Sequence, residues 1–421
     1  MTAPSDEIAT VIAGSFDALW NALLPIGRDP MTGGYHRLAW TDADMACRDW
    51  FTTAATEREL DVETDRNGNL WAWWTTSTTV ADAAALVVGS HLDSVRDGGA
   101  FDGPLGIVSA FAALDVLRAA GHMPRRPIAV AAFADEEGAR FGIACAGSRL
   151  LTGTLDPDDA RGLHDPSGAT LARAMTAAGH DPGRLGRDDQ RLARIGVAIE
   201  LHIEQGRALD VVGAPIGLAS GIWPHGRYRF THTGEANHAG TTAMTDRRDP
   251  MQAFTRSAIA VDAAARARRA RATFGRLDVH PDMTNAVPSR ITAWLDARAP
   301  DDPTLTGLVD DARAAATRHA HDTGTTVEVT TESTSPAITF DPRLRAQVLA
   351  ALEAPHRGAV PVIATAAGHD AGVLAAAGIP TAMVFVRNPT GVSHASAEHA
   401  ERDDCLAGVR ALARAIEHLA S

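Results

Sequence analysis

Apolar residues in the first 60 positions recur at the three-to-four spacing of helices. IATVIAGSFDALWNALL carries such a stripe, and a second helix is predicted from Asp42 to about Arg58. The pattern then shortens. DRNGNLWAWW reads as a turn followed by a strand, and ALVVGS (85–90) as a buried strand. GIVSAFAALDVLRAAG (106–121) is apolar at helical length and closes on Gly121. PIAVAAFADEEGAR and ARIGVAIELHIEQG are two more apolar runs that end in acids. Strands alternating with helices predict a mainly parallel α/β sheet. Ligands of such sheets sit beyond the carboxyl ends of the strands, where each polar cluster of this chain falls.

After about Val212 the pattern changes. GRYRFTHTG alternates like a half-exposed strand, and an alanine- and arginine-rich helix is expected over 251–273. RLDVHPD, SRITAWLDARA, a helix over 303–323 and the strand TTVEVTTEST follow. Two helices on a small sheet predict an inserted α+β domain over 213–331. From Pro336 the first pattern returns, with RLRAQVLAALEA as a helix and VPVIAT and AMVFVR as strands. The main domain is therefore expected to be discontinuous, 1–212 and 332–421. DPDDARGLHDPSG (156–168) reads as a surface loop, and Trp223 as a core residue, with narrowing of the substrate pocket as the alternative.

Two domains suit 421 residues. A net charge of −13 argues against nucleic acid and anionic membrane partners. Three dispersed cysteines, Cys47, Cys145 and Cys405, fit neither a disulfide framework nor a thiolate zinc site, and are expected to be buried and inert. The acidic start MTAPSDEIAT does not read as a signal peptide, and no apolar run reaches membrane-spanning length, so a cytoplasmic protein is expected. All 39 basic residues are arginine, which excludes Schiff-base, P-loop and carboxylated-lysine chemistry.

The polar residues at the strand ends are His91, Asp93, Asp102, Glu136, Glu137, His202, Glu204 and His394. Mixed imidazole and carboxylate donors suit zinc, manganese, cobalt or nickel. His91 and Asp93 stand two apart on an extended chain and share a side, so Asp93 can bond the far ring nitrogen of His91. The glycines of RDGGAFDG let the chain return Asp102 to the same place. Of the adjacent Glu136 and Glu137, one can ligate while the other serves as general base.

GSHLDSVRDGGAFDGPLG, ADEEGARF, ELHIEQG, GEANHAGTT, GHDAGVL and GVSHASAEH occur in this order. Together they resemble the amidase/carbamoylase branch of the M20 metallopeptidases, which contains N-carbamoyl-L-amino-acid hydrolases, β-ureidopropionases and allantoate amidohydrolases. The resemblance implies a zinc-peptidase-like three-layer α/β/α catalytic domain with an inserted α+β dimerisation, or lid, domain. It implies two divalent ions, manganese or zinc with cobalt or nickel possible: His91, Asp102 and His202 on one, Glu137 and His394 on the other, and Asp102 bridging. By the same resemblance Glu136 is the general acid/base, Asp93 orients His91, and His238 reaches the reacting carbonyl, typically across a dimer interface. Gln205, Asn285 and Arg298 contact the substrate. Ala243 and Ser396 stand where the family commonly has proline, which affects loop stiffness and removes no donor.

The branch cleaves the ureido or carbamoyl C–N bond of a small carboxylate. LPIGRDPMTGGYHRLAWTDAD and FVRNPTGVSHASAEHA look most like allantoate amidohydrolases. Allantoate of ureide catabolism is therefore the first expectation, with N-carbamoyl-L-amino acids as the runner-up, β-ureidopropionase activity beside it and an M20 dipeptidase or aminopeptidase more distant.

Overall fold

The computed structural model describes residues 5–80, 82–353 and 359–421. The chain forms two compact units, Met1–Gly221 with Thr339–Ser421, and Ile222–Ile338. The sequence boundary at 212/213 lies one strand earlier than this division, because Ile216–Ile222 pairs into the large sheet.

The first unit contributes β1 (Asp61–Thr64), β2 (Leu70–Trp74), β3 (Ala85–His91), β4 (Ile128–Phe133), β5 (Ile195–Ile203) and β6 (Ile216–Ile222). The second contributes β7 (His225–Thr233), β8 (Asn237–His238), β9 (Arg271–His280), β10 (Ala286–Val287), β11 (Arg290–Arg298) and β12 (Thr326–Ser335). The chain then adds β13 (Ile338–Thr339), β14 (Val362–Thr365) and β15 (Thr381–Val386) to the large sheet. Its order is β1-β2-β4-β3-β5-β15-β6-β13, with β14 also on β6. The central strands β4, β3, β5 and β15 are parallel. Antiparallel β2 and β6 flank them.

Every residue of β3, β4 and β15 is buried, as strands covered on both faces must be. Alternate residues of β3 face opposite layers. Leu86 and Val88 join a core with helices Ser5–Leu23, Pro104–Ala119 and Arg402–Ala420. Val87 joins Trp71, Trp73, Phe133, Leu151 and Leu374 on the other face. This is the three-layer α/β/α arrangement. Helix Pro104–Ala119 is apolar on nearly every side because it is buried on nearly every side. Among the described residues no helix is long and apolar enough to cross a membrane.

In the second unit β12, β7, β11 and β9 form an antiparallel sheet. Helices Pro250–Ala267 and Asp302–Asp322 pack on it through Val261, Leu305, Leu308 and Ala312, against Phe230 and Leu295. β8 and β10 pair as a separate ribbon.

Three local expectations are corrected. The helix expected to run to 273 ends at Ala267, and Arg271–Thr273 open β9. Arg269 turns the chain there at φ 53°, without the glycine or proline that would have marked the stop. Within the expected loop 156–168, Pro157–Gly162 is a helix, since Asp156 caps it by accepting from the N–H groups of Asp158 and Asp159. Trp223 is half-buried and lies under the Arg271 guanidinium, 4.8 Å from its ring centre. Ala354, the end of the helix expected over 343–354, lies outside the described residues; the helix is Pro342–Leu352. Cys47, Cys145 and Cys405 are buried free thiols.

His232, on β7, is fully buried, and neither ring nitrogen has a hydrogen-bond partner among the described residues. Burial pushes it down to about 4 from 6.5. Between those values the unfolded chain binds the proton and the folded chain does not, so stability falls as pH drops through this window. The loss should reach about 2 kcal/mol by pH 5. His232→Leu is expected to abolish that part of the pH dependence in thermal unfolding followed from pH 7 to 5. An equal slope in both proteins contradicts the assignment.

Candidate metal centre

The four parallel strands deliver their polar residues to one end of the sheet. β3 ends on His91, and the loop 92–103 returns Asp102 just before helix Pro104–Ala119. β4 ends at Phe133; Asp135, at φ 52°, turns the chain so that Glu136 and Glu137 follow. β5 carries His202 beside Phe385 of β15, and the loop after β15 carries His394.

Asp102 stands at the middle. Its Oδ1 is 3.1 Å from His202 Nε2 and 3.5 Å from His91 Nε2. Its Oδ2 is 3.5 Å from His394 Nε2, which is 3.3 Å from Glu137 Oε2. Two donor sets therefore share one carboxylate: His91, Asp102 and His202, and Asp102, Glu137 and His394. Within each set the donor atoms lie within 4.8 Å of one another. His91 Nε2, His202 Nε2 and Glu137 Oε1 are buried without a hydrogen-bond partner among the described residues. Buried imidazole nitrogens left unsatisfied beside a shared carboxylate fit a cation, and mixed imidazole and carboxylate donors fit a borderline divalent ion. The residues present fit a bound divalent cation.

The electrostatics agree. Burial and the neighbouring Asp370 and Glu137 charges raise the Glu136 carboxyl well above its usual range, against the pull of His91. Burial and Asp102 raise Glu137 similarly. Burial alone would raise Asp102, but His202 and His91 hold it well below its usual value. Burial would lower His91, yet Glu136, Asp102 and Asp93 raise it well above its ordinary value. The pocket is short of positive charge that protons can supply only in part.

Several groups hold this set in place. The nearest partner of His91 Nδ1 is the Asp93 carbonyl at 3.1 Å, with the Asp93 carboxylate at 3.5 Å. That carboxylate instead accepts the N–H groups of Glu136 and Glu137, each at 3.1 Å. Asp93 thus sets the path of the acidic pair as well as the tilt of His91. A Cβ on Gly103 would fall 2.4–2.6 Å from the His91 ring, so glycine is required there. Gln205 donates to Asp102 Oδ2 at 3.1 Å and accepts from the Ser393 hydroxyl. Cys145 donates its thiol to Glu136 Oε1 at 3.4 Å. This leaves Oε2 as the Glu136 oxygen that faces His91, at 3.7 Å.

Glu204 does not join the centre. Both its oxygens accept the N–H groups of Ala208 and Leu209, so it caps the next helix. Sequence reasoning missed Glu200 and His369. Glu200 accepts from Ser90 and from the Ala371 N–H, bolting β3, β5 and helix Asp370–Ala376 together beneath the histidines. The His369 ring lies 4.5 Å from that of His202, and burial, with His202 beside it, holds it well below its ordinary value. A histidine directly before a helix start was the available signal.

His238, Asn285 and Arg298 belong to the second unit. His238 is exposed on β8, and its Nδ1 accepts the N–H groups of Gly240 and Thr241, which leaves Nε2 as the ring's N–H donor. Asn285 is exposed, and its carbonyl accepts from Ala239 N–H. Arg298 is held in a two-point pair by Asp296, at 2.7 and 3.1 Å. Ala243 sits at φ −59°, the angle proline would impose, so that loop takes its shape without the ring.

Comparison with known proteins gives the following. The model of peptidase family M20/M25/M40 matches residues 87–418. The chain is 37% identical to N-carbamoyl-L-amino acid amidohydrolase of Geobacillus stearothermophilus, over 96% of this chain and 98% of that one. It is 32% identical to allantoate amidohydrolase of Escherichia coli, over 94% and 96%. A hydantoinase/carbamoylase family amidase from Burkholderia vietnamiensis superposes with a TM-score of 0.84 at 32% identity, covering 96% of this chain and 97% of that one.

Proposed function

The chain belongs to peptidase family M20/M25/M40 and is a metal-dependent hydrolase of C–N bonds; from this premise we propose that it removes the carbamoyl group of a small ureido carboxylate. The observation that carries the proposal is Asp102, one carboxylate shared by two donor sets, with Glu136 beside them. In this reading His91, Asp102, His202, Glu137 and His394 hold two ions. Bound divalent ions supply Lewis acidity and make water acidic enough to react near neutral pH.

The chain's own residues do the rest. Glu136 takes a proton from the attacking water and returns it to the leaving nitrogen. Its neighbour Asp93 holds the backbone on which both glutamates depend. His238 Nε2–H donates to the carbonyl oxygen as charge develops there. Arg298 and Asn285 contact the substrate carboxylate, and Gln205 also contacts the substrate. We read the enzyme as a cytoplasmic homodimer paired through the unit Ile222–Ile338.

Allantoate is the first substrate, on the likeness of segments 24–44 and 385–400 to allantoate amidohydrolases. N-carbamoyl-L-amino acids are a second reading, supported by the 37% identity to an enzyme of that name. Ammonia release from both, with manganese- and zinc-loaded protein, tests the choice. Release from allantoate is the expected result. Activity on carbamoyl amino acids alone overturns the allantoate assignment, and activity on neither overturns the reading.

A further inference from the structure

Glu398 lies four residues beyond His394 in the loop after β15. It is 5% exposed. Its Oε1 accepts two backbone N–H groups, those of Phe101 and Asp102, each at 3.0 Å. Its Oε2 has no partner among the described residues. The opposite loop is shaped to admit it: a Cβ on Gly99 would fall 2.4–2.6 Å from Glu398 atoms.

Burying a carboxyl group here is costly. A loop needing only an anchor could use a neutral acceptor at lower cost. The position of the contact shows what is gained. The second donor set draws on loops that leave the sheet from three different strands: Asp102 after β3, His394 after β15 and Glu137 after β4. The His394 side chain is 55% exposed and has little packing of its own. Glu398 ties the backbone of the first loop to the second at the shared ligand. Gln205 makes a separate tie through Asp102 Oδ2 and Ser393, which changes at Glu398 leave intact.

We propose that Glu398 is a positioning residue, clamping the Asp102 backbone to the His394 loop and so fixing the spacing of the donor set Asp102, Glu137 and His394 without itself touching an ion or substrate. The proposal rests on the two-ion reading above.

Two variants test it in metal-free full-length protein: Glu398→Ala, which removes the acceptor, and Glu398→Gln, which keeps it. Manganese is titrated by calorimetry, and thermal unfolding of the metal-free forms is followed alongside. Glu398→Ala should bind one ion as the wild type does and the second about 10–100-fold more weakly, the size of effect typical of groups that orient ligands. Glu398→Gln should bring the second ion back to within a few-fold of wild type. Two ions bound by Glu398→Ala with wild-type affinity overturn the proposal. So does equal weakening of both ions with a lowered metal-free unfolding temperature, which would mark a role in the fold alone. A wild-type chain that binds one ion overturns the two-ion reading itself, and the clamp with it.

Discussion

Glu136→Gln is expected to lower kcat by about 10²–10⁴-fold, the usual contribution of a positioned general acid/base. Bound metal should be unchanged, because Glu136 belongs to neither donor set. The substitution keeps the side chain's size and its Oε1 contact with Cys145. It removes the basic oxygen that faces His91. KM should move little, since ground-state contacts are assigned to other residues. Turnover within a few-fold of wild type would remove Glu136 from the reaction.

Asp102→Asn should be more damaging to the centre itself. Asparagine preserves the shape, but one of its two positions becomes an N–H₂ that cannot ligate. Either the His91 and His202 side or the His394 and Glu137 side then loses its shared donor. Groups that merely orient ligands are worth about 10–100-fold in metal affinity, so loss of a shared ligand should weaken one site by more than about 100-fold. At most one ion should bind under conditions that saturate the wild type, with activity falling accordingly. Metal analysis after gel filtration, with thermal unfolding as the check on fold, measures this. Two ions retained at wild-type affinity would show that Asp102 does not bridge.

The parts of the molecule set by local pattern were legible in the sequence. β3, β4, β5 and β15 stood out as apolar runs ending in polar residues, and that termination pointed to the sheet end where those residues meet. Helix Arg402–Ala420 was not read from the sequence, although Cys405, Val409, Leu412 and Ile416 recur at helical spacing on its buried face. What local pattern could not give was decided by contacts distant in sequence. Glu204 has the same residue type and strand-end position as a ligand, and only the N–H groups of Ala208 and Leu209 show that it caps a helix. Glu398 looks like any surface glutamate in SAEH until the fold brings it against Phe101 and Asp102. The end of helix Pro250–Ala267 was hidden because alanine and arginine favour a helix well past the point where pairing with β11 makes Arg271 a strand residue.

The most direct test of the account follows ion uptake and reaction together. Metal-free protein is titrated with manganese while bound metal and ammonia release from a ureido carboxylate are measured in the same samples. The account predicts two ions per chain at saturation, with activity rising as the centre fills. Saturation at a single ion, or full activity in metal-free protein, would contradict it.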